Sequence, residues 1–312
     1  MKNKILATIV AFGLVGSASA VDINDNLSIT GFIDGSYQNN ESDTPTGGST
    51  ESQQLGLDEV EIDFLFNVAS VSGEIHIDTD NNADNWDIEQ AHFSYSLENG
   101  VNFTYGRFGS ALGFEREDPA GLYTFSRAYG NTAFNLGDVD SYVYDGIAVA
   151  YDSDVFSISG AFVNETENKN ELGNNDIDLE LSIIYTGIEN FTIGLGYYFD
   201  NEADNASEND VLNIHASTTA GKLFLAAEYS EISNQSTDMD AYMVLADYDI
   251  SDKFGIAARV SSYEDGIIDC DKITIAPNYS ITDSLGVILE YSDVDMGDKD
   301  DDLLAVELTF TF

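Results

Sequence analysis

The chain of 312 residues holds four arginines, and three of them, Arg107, Arg116 and Arg127, fall in one stretch beside Glu115, Glu117 and Asp118. The fourth, Arg259, sits on the polar side of the alternating segment KFGIAARV. With 57 Asp and Glu against 11 Lys and Arg, such a cluster is not accidental. Guanidinium and carboxylate groups facing each other across a narrow wet gap create a transverse field, which orders water and orients dipolar solutes. A second reading of the same residues is structural: the arginines pin a loop to an acidic wall by ion pairs. Arg107 has outward parity in its own segment, so the first reading requires it to lie beyond the strand end.

Two acidic stretches raise the question of metal. DTDNNADNWDIE nearly matches a Ca²⁺-binding loop, with Asp78, Asp80, Asn82 and Asp84 at alternate positions and Glu89 at the twelfth. Ala83 stands where the sharp turn wants glycine, and alternating segments rather than helices flank the loop. A solvated hairpin loop and a weak external Ca²⁺ or Mg²⁺ site both remain open. The run DVDMGDKDDD is similar and less ordered. Apart from such ions no cofactor is expected. His76, His92 and His215 lie on separate segments without metal-ligand spacing and read as solvated lining. No Gly-x-Ser-x-Gly elbow, phosphate-binding loop or zincin motif occurs, so an enzyme is not expected. Cys270, between Asp269 and Asp271, reads as incidental in an exposed turn.

The net charge of −46 argues against nucleic-acid binding, because almost nothing could neutralise phosphates. It does not imply disorder, since 43% of residues are hydrophobic and 12% aromatic.

The elements that must position these groups are strands. VEIDFLF sets Val60, Ile62, Phe64 and Phe66 against Glu59, Glu61 and Asp63, and VSGEIHID sets Val71, Ile75 and Ile77 against Glu74, His76 and Asp78. A period of two over about ten residues is the signature of a tilted membrane strand. Sixteen such segments follow one another from residue 27 to residue 312, joined alternately by short turns and longer loops. This pattern predicts an all-β protein, a transmembrane antiparallel barrel of about 16 strands forming a single domain over 21–312. Its polar parity assigns Glu59, Glu61, Asp63, Glu74, His76, Asp78, His92, Asp176, Asp178, Glu180, Glu228, Glu290 and Glu307 to a water-filled lumen. A soluble β-sandwich also alternates, but it has no need of a closing strand.

Both ends bear on that choice. MKNKILATIVAFGLVGSASA has a charged start, a short apolar run and Ala18-Ser19-Ala20, the pattern of a secretory leader cleaved after residue 20. The segment LLAVELTFTF alternates to Phe312. In a closed barrel such a strand pairs with the first one and removes the open edge.

The longest connection follows the fifth segment. YGRFGSALGF, Tyr105 to Phe114, resembles the stretch by which the general outer-membrane porins leave their fifth strand. The Pro-Glu-Phe-Gly-Gly stretch of enterobacterial members is absent, EDPAG having a Pro but no such run, and Ser126-Arg127 is closer to porins of other phyla. The resemblance implies a trimeric, 16-stranded barrel in the bacterial outer membrane whose third loop folds inward. Arg107, Glu115, Arg116, Glu117, Asp118, Arg127 and Arg259 would then form the constriction. It implies passive diffusion of small hydrophilic solutes and ions, contact with lipid and lipopolysaccharide, and recognition of Phe312 by the outer-membrane assembly machinery. The lumen carboxylates add an expected mild cation preference. A barrel serving as adhesin, receptor or structural anchor is the alternative.

Overall fold

The structure is a computed structural model describing residues 20–44, 47–79, 86–115, 119–129, 143–164, 177–201, 209–234, 238–264, 269–297 and 299–312. The strands are β1 (Val21–Asn24), β2 (Leu27–Thr44), β3 (Gly48–Val68), β4 (Val71–Thr79), β5 (Trp86–Ser96), β6 (Val101–Gly109), β7 (Val143–Asp152), β8 (Phe156–Asn164) and β9 (Asp178–Ile188). They continue with β10 (Phe191–Phe199), β11 (Asn209–Ala220), β12 (Leu223–Asn234), β13 (Met239–Asp249), β14 (Phe254–Glu264), β15 (Asp269–Thr282), β16 (Leu285–Asp295) and β17 (Asp300–Thr311).

From β2 to β17 each strand pairs antiparallel with the next, and β17 returns to β2, closing a 16-stranded barrel. The sixteen alternating segments correspond one to one with these strands. In β13, Ala241, Met243 and Leu245 are buried while Tyr242 and Val244 between them are exposed. The outward faces carry apolar groups such as Val260, Ile273, Leu289 and Leu308, all exposed, whereas Glu61, Glu290 and Glu307 are buried on the inward face. That inversion of the usual core suits a wall with lipid outside, where every backbone polar group must be paired within the ring.

Connections at one end are tight. Ala69 joins β3 to β4 with φ 57°, and Asn190 joins β9 to β10 with φ 58°. The first and last described residues lie at this end. At the other end the structure departs from expectation. The sequence pattern makes 39–54 a loop, yet β2 and β3 run on to Thr44 and from Gly48. Residues 49–57 are exposed on both faces, so pairing continues with no apolar period to reveal it. Likewise 294–302 is mostly strand, with β16 ending at Asp295 and β17 beginning at Asp300.

The short β1 was not anticipated. It pairs with β2 at Val21↔Ile29 and Asp22↔Ser28, and β17 pairs with the same strand from Phe32 onward. The two therefore lie end to end along one edge of β2. Phe312 completes the seam: its N–H donates to Gly31 O at 3.1 Å, and its carbonyl accepts from Gly31 N at 3.2 Å and from Thr30 Oγ1 at 2.8 Å. A Cβ on Gly31 would stand 2.2 Å from Glu61 O, so only glycine lets the strands close here.

Candidate loop clamp and inner wall

After Gly109 the chain does not leave the barrel wall. Ser110 Oγ donates to Glu180 Oε2 (2.6 Å) and Ala111 N to Glu180 Oε1 (2.8 Å) on β9. Gly113 N donates to Asn213 Oδ1 (3.2 Å) on β11, and Phe114 N to Glu228 Oε1 (2.6 Å) on β12. Further on, Ser126 N donates to Glu290 Oε2 (3.0 Å) on β16, and Ser126 Oγ also donates to that carboxylate. Ser261 Oγ of β14 donates to Ala128 O at 2.6 Å. Four wall groups predicted from parity, Glu180, Glu228, Glu290 and Arg259, thus serve as attachment points for the described parts of the third loop.

Arg259 is the strongest of these. Its Nη1 donates to Glu115 Oε1 at 2.6 Å and Thr124 Oγ1 at 2.8 Å, and its Nη2 to Ser126 O at 2.8 Å. Arg259 is 1% exposed, so its charge is held against Glu115 and the loop backbone rather than presented to water. Glu115 Oε2 in turn accepts from Ala128 N, and Arg127 Nη1 donates to Glu115 O, both at 2.6 Å. Lys272 of β15 adds a second cation, its Nζ donating to Ser126 Oγ (2.6 Å) and Arg127 O (3.0 Å). Parity places Lys272 inward beside exposed Ile273, but the sequence reading did not include it. A planar fork that donates to a carboxylate and to carbonyls at once is what a guanidinium does best.

Apolar packing reinforces the polar contacts. Tyr123 and Ala128 pack with Ala226, Met243, Leu245, Ala257, Ala276 and Ile288 of the inward wall, and Leu112 packs with Tyr144, Val163 and Tyr198. Tyr123 stacks on Phe224 with ring centroids 4.8 Å apart, and Phe114 lies 6.2 Å from the same ring. A Cβ on Gly196 would come 2.6 Å from Leu112 Cγ, so this glycine admits the loop to the wall. Burial raises the phenols of Tyr123 and Tyr129 well above the usual range and keeps them neutral. Met243 and Leu245 break the polar-inward rule, which was the readable sign of a covered wall patch. Toward the tight-turn end opens a space of about 900 Å³ lined by Tyr123, Phe224, Asp247, Lys222 and Lys253 among others.

Arg107 must be corrected. β6 extends through Gly109, so Arg107 lies within the strand, on the outward face with exposed Phe103 and Tyr105. Its Nε and Nη2 donate to Asp145 at 2.9 and 3.1 Å, and its Nη1 to Ile88 O at 3.1 Å. It takes no part in the clamp. Arg116, Glu117, Asp118, Asp80, Asn82, Asp84 and Asp176 lie outside the described residues.

The other wall residues keep their predicted face. Glu59 pairs in register with buried Asp34, and Asp58 is the extra residue of a bulge there. Asp178 accepts from Tyr198 Oη at 2.7 Å. Glu307 is buried. His92 meets Phe108 edge-on, and His215 Nδ1 lies 3.1 Å from Asn213 Oδ1. The Ca²⁺-loop reading finds Asp78 and Glu89 not in a loop but in the paired strands β4 and β5. Glu89 is the extra residue of a bulge there and turns toward His76, 3.9 Å from Nδ1.

Comparison with known structures and families agrees with this architecture. An anion-selective porin from Comamonas acidovorans superposes with a TM-score of 0.71 at 12% identity, over 92% of this chain and 99% of that one. Salmonella typhi OmpF, solved with daunomycin, gives 0.68 at 15% identity over 94% and 100%. OmpT, an outer-membrane protein of Vibrio cholerae, gives 0.63 at 13% identity over 94% and 100%. At such identities the likeness concerns the fold. No curated protein sequence matches the chain. A family model described as Gram-negative porin, however, matches residues 6–302, nearly the whole sequence. The chain therefore belongs to the Gram-negative porin family, and its barrel is an outer-membrane channel for passive diffusion.

Proposed function

We propose that the third loop narrows this channel to a passage for small hydrophilic solutes and ions, and that the passage mildly prefers cations. The observation that carries the reading is the row of hydrogen bonds from residues 110–128 to inward side chains of β9, β11, β12, β14, β15 and β16. A segment tied along that arc occupies lumen space. In a ring of sixteen, the strands across from β11 and β12 are β3 and β4. Their inward faces carry Glu61, Asp63 and Glu74 beside His76. The cations Arg259 on β14 and Lys272 on β15, four to six strands round the ring from β3 and β4, are engaged in holding the loop. Glu74 is the exposed member of this group while Glu61 and Asp63 lie deeper, so the reading takes Glu74 as the fixed negative charge nearest the open water, where it concentrates cations.

The proposal extends to assembly. The mature chain starts at Val21, three copies associate, lipopolysaccharide surrounds them, and the assembly machinery reads the segment ending in Phe312. The barrel acts as a channel and not as an enzyme.

Deleting residues 115–127 and recording single channels in planar bilayers tests the central claim. Conductance rises if the loop is the constriction, and an unchanged value rejects it. Reversal potentials in a salt gradient test selectivity, where a clear anion preference overturns the charge argument.

A further inference from the structure

The inner wall at β3 and β4 holds a group of donors that the loop clamp does not use. Glu61 and Asp63, two apart on β3, share its inward face, and His76 stands directly opposite Asp63 in the β4 register. His76 Nδ1 lies 3.0 Å from Glu61 Oε1 and 3.3 Å from Asp63 Oδ1. The donor atoms of these three residues all lie within 4.8 Å of one another. On its other side the ring meets Glu74, with Nε2 3.2 Å from Oε2. The bulge in β5 brings Glu89 Oε2 to 3.9 Å from Nδ1.

This pattern has a directional logic. Nε2 faces Glu74, and Nδ1 is the ring atom that faces Glu61 and Asp63. A ring nitrogen this close to two carboxylate oxygens needs positive charge between them, supplied either by a proton on Nδ1 or by a metal ion in its place. Two donors each about 2.1 Å from a common ion, at angles of roughly 90–110°, stand about 3.0–3.4 Å apart. The spacings from Nδ1 to Glu61 and to Asp63, 3.0 and 3.3 Å, fall in that range. The carboxylate behind the imidazole is the usual outer partner of a metal-bound histidine. An imidazole among carboxylates suits a first-row transition ion, whereas Ca²⁺ and Mg²⁺ favour all-oxygen sites.

We propose that Glu61, Asp63 and His76 bind a divalent first-row transition ion such as Zn²⁺ on the inner barrel wall, with Glu89 as a nearby fourth donor and Glu74 orienting the imidazole. The site differs from the external Ca²⁺-type loop that the sequence suggested, although Glu89 belongs to both. A bound dication here places positive charge on the acidic side of the lumen, and it would lower cation preference.

The test uses the folded full chain in detergent and Zn²⁺ alone, titrated against a chromophoric chelator. One ion binds per chain. His76→Gln and Asp63→Asn weaken binding at least tenfold. Glu74→Gln weakens it about 10–100-fold, the usual outer-partner effect, while one site remains. Asp300→Asn with Asp301→Asn, on the acidic hairpin, leaves affinity unchanged. Gel mobility before and after boiling reports folding of each variant, so Glu74→Gln serves if a ligand variant fails to assemble. No binding to the native chain means that a proton on Nδ1 fills the gap, and the proposal falls. It falls equally if Ca²⁺ competes as well as Zn²⁺, or if His76→Gln binds like the native chain. Because the readout is binding, it stands apart from the channel measurements.

Discussion

Replacing Arg259 by alanine isolates the clamp. The guanidinium holds Glu115, Thr124 and the Ser126 carbonyl at 2.6–2.8 Å while itself 1% exposed. Removing it leaves Glu115, 10% exposed, without its charge partner from the wall. Breaking a buried ion pair from one side costs about 3–5 kcal/mol. At about 1.4 kcal/mol per tenfold, the ratio of docked to released loop falls by roughly two to three and a half powers of ten. The remaining attachments at Glu180, Asn213, Glu228, Glu290 and Lys272 are unchanged, so release concerns Glu115 and Thr124, while Ser126 stays tied to Glu290 and Lys272. Single-channel traces of Arg259→Ala then show open-state flicker and visits to a larger conductance. Arg259→Lys keeps the charge but not the fork, and falls between. Ser261→Ala, which removes one hydrogen bond to Ala128 O worth about 1 kcal/mol, is the quiet control. If Arg259→Ala assembles normally and its conductance and open-state noise equal those of the native channel, the clamp does not set the constriction.

Three further outcomes are expected. Cation preference, read from reversal potentials, is largest at 0.1 M salt and fades towards none at 1 M, as the Debye length shrinks from about 10 Å to about 3 Å. Arg107→Ala leaves conductance and selectivity unchanged, because its pair with Asp145 faces outward; a shift in selectivity would contradict that placement. Gly31→Val and deletion of Phe312 both lower the heat-modifiable fraction on gels, the first by forcing a side chain onto Glu61 O and the second by removing the seam bonds; normal yield from both would mean that the seam is dispensable.

The ring itself was legible because one face of every strand must be apolar, and a period of two survives translation into sequence. The exceptions have physical causes. The β2–β3 extension is wet on both sides, so nothing alternates there. Asp58 and Glu89 sit in bulges, and a single extra residue changes what parity implies at that point. Arg107 was read as a constriction residue from its company in sequence, although its own parity pointed outward and β6 simply continued. Lys272 follows Cys270 and Asp271 with no arginine near it in sequence, so only the strand pairing brings it to the loop. The pairing of His76 with Glu61 and Asp63 depends on register between strands, which no single segment encodes. Arg259 had the right face, but whether an inward guanidinium meets water or a loop is decided by a segment far away in the chain.

The seam at β2 sets the order in which the barrel can form. Fifteen of the ring's sixteen pairings join strands that follow one another in the chain. The sixteenth brings together Thr30 and Phe312, which are 282 positions apart. Bringing such distant points together costs about 5 kcal/mol of chain entropy by the logarithmic loop rule, where a short hairpin costs far less. Hairpins can therefore accumulate early and form a curved, open sheet, while closure waits until most of the wall exists to hold its two edges near each other. Until then β2 and β17 each offer a row of unpaired backbone groups. The step that makes the wall watertight is thus the slowest in topology, and it is where an incomplete chain would be caught open.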